Sequence, residues 1–311
     1  TWLAPATAWV NRIVAGTLPE ALAGSGGTVS AEAGSSPSGG VLESSEPVIE
    51  LVDDHVAFRF AGVSFAVPEL DLWRAPTDND GIRSGWMDGI GVRGRWLGWG
   101  LDRLERSLVS QDVLPDGSAL QRVVEWSCGD EIATHRQSAS VQQGWIVVAE
   151  EIEVPTLWED LPRVGVRSSF PGEFDLFSWT GYGPGDSYPD RCTLQWGEWT
   201  TSVAETHVDT VVPQEHGHRH RTADMALAGP ESRLEFRWDG LMGVNVSQYS
   251  SSACSTARHC HELRPDGLIH WNLDIAHRGL GTAACGPDTA ERFRVRPGTF
   301  RWVWAVREVA M

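Results

Sequence analysis

Apolar and polar residues alternate with a period of two along most of the chain beyond residue 46, a pattern that predicts strands. The C-terminal stretch shows it most plainly. Phe293 and Val295 alternate with Arg292, Arg294 and Arg296, and Pro297-Gly298 supplies a turn. Phe300, Trp302, Trp304 and Val306 then alternate with Arg301, Val303 and Arg307. This reads as a β-hairpin with one face in a core. Similar runs lie at 145–154, 163–170, 174–179, 233–238, 242–249 and 268–275. No stretch sustains a 3.6-residue apolar period beyond about two turns. Many short strands punctuated by Gly and Pro predict an all-β fold, a large antiparallel β-sandwich.

Residues 22–46 break the pattern. They are rich in Gly, Ser, Ala and Pro with few large apolar side chains, the composition of a linker. Residues 1–21 form a short apolar and aromatic piece, too small to fold alone. They are expected to be the tail of a preceding domain, with 47–311 as one large domain. The chain opens on Thr rather than Met and reads as a piece of something longer.

Composition narrows the classes of function. The formal charge of −17 argues against nucleic acid, because phosphate binding needs a basic face. No apolar run reaches the length that crosses a bilayer, so no membrane partner is expected. Five cysteines, odd in number and without a CxxC pair, signal neither a disulfide framework nor a zinc site. Reduced thiols in a cytoplasmic protein are the simpler expectation. Sixteen tryptophans stand against three tyrosines and nine phenylalanines. Each one alone is best read as core, although together they favour carbohydrate somewhat.

Four clusters of polar and glycine residues interrupt the strands. Asp78-Asn79-Asp80-Gly81 resembles a calcium loop, but its acids lack alternate spacing and Met87 stands where a Glu is needed. A self-bonded turn or a ligand-facing loop remain open for it. His216, His218 and His220 would share one side of a strand and could hold a metal, yet Glu215 falls on the wrong alternation to join them. No metal site is expected. The segment 181–191 packs Gly, Pro, Tyr182 and Tyr188 into an irregular loop, with Asp190 beside Arg191 as an expected ion pair. The glycine-rich run 279–287 lacks the following helix and the Lys of a phosphate loop, and its Cys285 has no basic activator nearby in sequence.

In this order, WRAPTDND at 73–80, GYGPGDSYPDR at 181–191, VVPQEHGHR at 211–219 and HWNLDIAHRGLGTAACGP at 270–287 resemble the C-terminal small-chain region of the β-galactosidases of glycoside hydrolase family 2. TWLAPATAWVNRIVAGTLP near the start is similar to the stretch closing that family's preceding immunoglobulin-like domain. The resemblance implies a supersandwich with a galactose mutarotase-like fold, preceded by an immunoglobulin-like tail at 1–21. It implies hydrolysis of terminal β-D-galactose residues by a retaining mechanism, with acid/base and nucleophile on a (β/α)₈ barrel some 5 Å apart. No alternating strand–helix pattern that could form such a barrel is present here. The isolated chain is therefore expected to be inactive and to carry no catalytic residue. It should bind no cofactor, Mg and Na belonging to the family's barrel. Its partners would be a galactoside, the catalytic barrel of the same or a partner chain, and further copies in a homo-oligomer. Asp78, Asn79, Asp80 and Cys285 are the implied cleft residues, and Arg74, Tyr188, Asp190, Arg191 and Glu215 the implied loop-forming ones.

Departures from the family pattern stand beside this. Cys285 occupies the place where well-known members carry a sugar-stacking Trp, and a thiol lacks the flat apolar face of an indole. Asp186 stands for the usual Glu, the stretch 58–70 is shortened, and His218 and His220 stand in a variable segment of the pattern, so no function is carried onto them. Two other functions are also compatible with the residues. One is a free-standing carbohydrate-binding module. The other is a mutarotase-like epimerase using His216, His270 or Glu262 as acid and base.

Overall fold

A computed structural model describes residues 46–52, 55–83 and 91–311. The expected immunoglobulin-like tail, and all of the expected linker but Glu46, lie outside the described residues. A small antiparallel sheet comes first, made of β1 (Val48–Val52), β2 (His55–Arg59) and β3 (Ser64–Ala66). After β4 (Glu69–Asp71) and the short helix α1 (Val92–Gly98), four strands run up and down as consecutive hairpins. They are β5 (Glu105–Val113), β6 (Ala119–Cys128), β7 (Glu131–Gln142) and β8 (Trp145–Glu153). The rest are β9 (Arg163–Pro171), β10 (Leu176–Gly183), β11 (Gln195–Ser202), β12 (Arg219–Ala228), β13 (Ser232–Ser247), β14 (Leu268–His277) and β15 (Thr299–Ala310). A second short helix, α2 (Ser251–Thr256), follows β13.

β13 turns this succession of hairpins into a sandwich. Its first half pairs with β15 (Trp238 opposite Trp304) and its second half with β14 (Gly243 opposite Asp274). One long layer thus runs β11-β10-β12-β13-β15-β8-β7-β6-β5, while β13, β14, β9 and β4 form the layer folded over it. β12 follows both halves of β13 through two register shifts between Arg219 and Asp224. Aromatic rings fill the space between the layers. Phe236 lies 5.8 Å from Phe170 and 5.2 Å from Trp271, and Trp271 lies 5.6 Å from Trp304. These separations suit edge-to-face and offset packing. Phe65 of the small sheet closes one end of this core, 4.8 Å from Phe170. Ten tryptophans are buried among the described residues, so the tryptophan excess is chiefly a feature of the core.

The observed strands follow the alternating runs with three differences. The runs at 233–238 and 242–249 are one strand, bent where it changes layer. The expected hairpin at 292–307 lacks its first arm. Residues 291–293 close a 3₁₀ turn and Val295 bridges to Leu161, so β15 takes β8 and β13 as partners instead. The Phe293 carbonyl is thereby freed to accept a hydrogen bond from Gly279 N–H at 2.9 Å. The ladder β5–β7 lies outside the runs singled out above, because its inward positions are partly polar.

Candidate functional site

The loops at 72–83, 184–191, 203–218 and 278–289 meet at one end of the sandwich, and each owes its place to side chains from the others. Arg74, fully buried, donates to the Arg278 carbonyl at 2.7 Å and to the Asp80 carboxylate at 2.6 Å. Asp80 accepts in turn from Thr77 N–H and its hydroxyl, at 2.8 and 3.0 Å. The acidic run is therefore a self-bonded turn sealed by an arginine, and Asp80 points into the protein. Asn79 reaches across to the glycine-rich loop. Its amide donates to the Gly281 carbonyl (2.9 Å) and its oxygen accepts from Ala284 N–H (3.1 Å).

Asp190 grips the same loop from the other side. Its carboxylate accepts from Leu280 N–H at 2.9 Å and Gly281 N–H at 2.7 Å. A Cβ on Gly279 would stand 2.6 Å from that carboxyl carbon, and one on Gly281 (φ 67°) would stand 2.6 Å from Thr289 Oγ1. Glycine is needed at both places for the loop to lie this close. The expected Asp190–Arg191 pair does not form, since Arg191 pairs with Asp186 at 2.5 Å. Asp78 and Cys285 are the exposed members of the implied cleft set; Asp78 N–H donates to Gln214 Oε1 at 3.0 Å.

Behind these loops lies a buried polar cluster around Arg163. Its guanidinium contacts Glu215 (3.0 Å), Asp71 (3.3 Å) and Asp274 (3.7 Å). Asn272 donates to Asp71 at 2.6 Å and Asn245 to Glu215 at 3.0 Å. Glu215, His218 and His277 have ligand atoms within 4.8 Å of one another, close enough for a metal ion. Arg163 already supplies the positive charge there, and its Nη2 lies 3.3 Å from His277 Nε2. His277 Nδ1 faces the Arg278 carbonyl at 2.9 Å, which assigns the proton to Nδ1 and leaves Nε2 to accept from Arg163. A guanidinium in this place disfavours a second cation.

Burial sets the protonation of this cluster. It drives His218 and His277 well below the usual imidazole range and pushes the Tyr188 phenol well above its ordinary value. It raises Asp274 to about 8, Arg163 being shared with Asp71 and Glu215. Tyr188 stacks on His218 with ring centres 5.4 Å apart and meets His277 at a tilt, 5.5 Å away. Buried and bonded to one another, these groups are poorly placed for proton transfer to a ligand. They hold the loops from behind.

The three histidines of the 216–220 run do not act together. His216 bonds His207 (3.1 Å), His218 is sealed in the cluster, and His220 is half-buried, its pKa lowered by burial to about 4. His216, His270 and Glu215 share a pocket of 20 Å³, room for about one water and too small for a sugar ring. Glu262 is exposed and accepts from Arg258 N–H, so the three epimerase candidates do not converge on one site. Sequence reading missed Asp71, Arg163, Asp274 and Arg278, which lie in or at the ends of strands β4, β9 and β14 and gain partners through folding. An Arg or Asp at an inward strand position was the signal available.

The chain matches the family described as Beta galactosidase small chain over residues 55–304. A β-galactosidase of Arthrobacter sp. (strain B7) is 33% identical over 275 residues, covering 79% of this chain and 26% of that protein. One from Aeromonas hydrophila subsp. hydrophila is 27% identical over 246 residues, covering 76% and 23%. The chain thus spans about a quarter of the length of these curated relatives. Among solved structures, a galactose mutarotase-like protein from Lactobacillus casei ATCC 334 aligns with a TM-score of 0.42 at 8% identity, over 86% of this chain and 99% of that one. A putative aldose 1-epimerase from Escherichia coli K12 aligns with a TM-score of 0.35 at 12% identity, over 85% and 82%.

Proposed function

The chain belongs to the β-galactosidase small-chain family, and from that premise we propose that it is the sandwich part of a β-galactosidase, completing the substrate cleft of a catalytic barrel. The substrate would be a terminal non-reducing β-galactoside. The two carboxylates of a retaining hydrolase, roughly 5 Å apart, would sit on the barrel rather than on this chain. The convergence of the Asp78 loop, the Asp190 loop and the glycine-rich loop on one rigid wall carries this reading. That wall exposes Asp78 and Cys285, while Arg74, Asn79, Asp80 and Asp190 bond one loop to the next.

Such a wall positions an incoming sugar or acceptor rather than reacting with it. Cys285 offers less flat apolar surface than an indole, so acceptor binding would be weaker than in relatives with Trp at this place. The test is turnover of a chromogenic β-galactoside. The purified chain should give none. The Arthrobacter enzyme with its matching segment replaced by this chain should regain turnover. A folded but inactive chimera, or turnover by the chain alone, would overturn the proposal.

A further inference from the structure

A cavity of 720 Å³ opens in the fork where β13 passes from one layer to the other. The ladder between β13 and β14 stops at Gly243–Asp274, and that between β13 and β15 starts at Trp238–Trp304. Residues 275–277 and 298–300 therefore flank the opening without β13 between them. The volume suits a small organic ligand and exceeds what a single ion needs.

The charge of the wall is opposite to that of the molecule. Among its described residues stand Arg221, Arg292, Arg294 and Arg296, in a chain of net charge −17. Arg294 and Arg296 are held by Asp288 and Glu291. Arg221 and Arg292 are exposed, and among the described residues no carboxylate pairs with either. The acidic residue on the wall, Asp274, is buried with a pKa of about 8 and is uncharged at neutral pH. Arg221 also adopts φ 60°, a left-handed backbone that L residues seldom take. It lies in the register shift between Arg219 and Thr222, and bulges of this kind re-aim a side chain. Strain of this type recurs at ligand sites.

We propose that the fork binds a sugar carrying a carboxylate or a phosphate, its anionic group held between Arg221 and Arg292 and its body against Phe293 and Phe300. The site adjoins the loop wall, sharing Pro189 with it, but its binding does not depend on the cleft function. Galacturonate, galactose 6-phosphate and neutral galactose, titrated calorimetrically into the purified chain, would test this. At least one acidic sugar should bind, more weakly as salt rises, while galactose stays silent at the same concentration. Which of the two binds distinguishes a carboxylate from a phosphate ligand. The double variant Arg221→Ala/Arg292→Ala should weaken binding at least tenfold. Arg221→Gly should do so in part without loss of thermal stability, because glycine accepts this backbone freely. Arg59→Ala, on the small sheet, should leave binding unchanged. Silence with both acidic sugars, or binding indifferent to the Arg221 and Arg292 substitutions, would overturn the proposal.

Discussion

Asp190 sets the position of a loop some ninety residues away with a single carboxylate. Hydrogen bonds to a charged acceptor contribute about 1.5–3 kcal/mol each at sites shielded from water. Asp190→Ala should therefore free the glycine-rich loop, read as faster amide exchange at Leu280 and Gly281 and faster reaction of Cys285 with a thiol reagent. Unchanged exchange at those two amides would show that the loop keeps its place by other means. Asn79→Ala should do the same at Ala284, and by less, since its bonds are neutral. Sequence reading singled out both residues, and for Asp190 it named a partner that the fold does not use. It offered Asp190 its neighbour Arg191, because adjacency in the chain is what a sequence displays. Tyr188 and Arg191 instead exchange backbone hydrogen bonds of 3.0 and 2.9 Å in a tight turn, and the two flanking charges go to different partners.

At the scale of elements, legibility depended on whether inward positions were apolar. β8, β9, β14 and β15 carry dense apolar runs, which the sequence pattern predicts. β6 and β7 do not, since Arg122, His135 and Gln137 point inward along with Val124 and Ala139. Glu150 of β8 makes that interior tolerable. It meets His135 Nε2 at 2.8 Å and accepts from Trp304 Nε1 at 2.9 Å and Gln137 at 3.1 Å. Buried polar groups are stable when bonded in this way, but a search for apolar alternation passes over them. Pairing between β9 and β14 depends on a different device, a missing side chain. A Cβ on Gly165 would lie 2.4 Å from the Leu273 carbonyl oxygen. Gly165→Ala should thus destabilise the fold by about 1–3 kcal/mol, measured as a lower urea midpoint. A midpoint equal to that of the unmodified chain would mean that β9 can shift without penalty.

For the whole molecule, the buried cluster predicts where on the pH scale the fold is strongest. In the unfolded chain an imidazole takes up a proton below about pH 6.5, and an Asp releases its own above about 4. In the folded chain His218 and His277 stay neutral far below that range, while Asp274 keeps its proton up to about 8. Between pH 4 and 6.5, roughly, unfolding takes up two imidazole protons and gives up one, so stability rises with pH. From about 6.5 to about 8 the Asp274 proton acts alone, and stability falls as pH rises. His207 and His220, also lowered, add to the acid side. The melting temperature should peak near pH 6.5, with slopes on the order of 1.4 kcal/mol per pH unit for each net proton. Asp274→Asn should flatten the alkaline side and steepen the acid side, where its proton no longer offsets those of the imidazoles. A melting temperature that climbs steadily from pH 6.5 to 8 would contradict this account.

The bend in β13 bears on how the molecule comes apart. A strand stitched into both layers is a clasp, because neither layer can peel away without unzipping the other. Unfolding should then be a single event with no half-open intermediate. Urea melts followed by tryptophan fluorescence, to which Trp271 and Trp304 between the layers contribute, and by backbone circular dichroism should superimpose. For the same reason the chain has no natural seam. Cut within 232–247, it would yield two fragments that each lack a partner strand and can be rejoined only by meeting again.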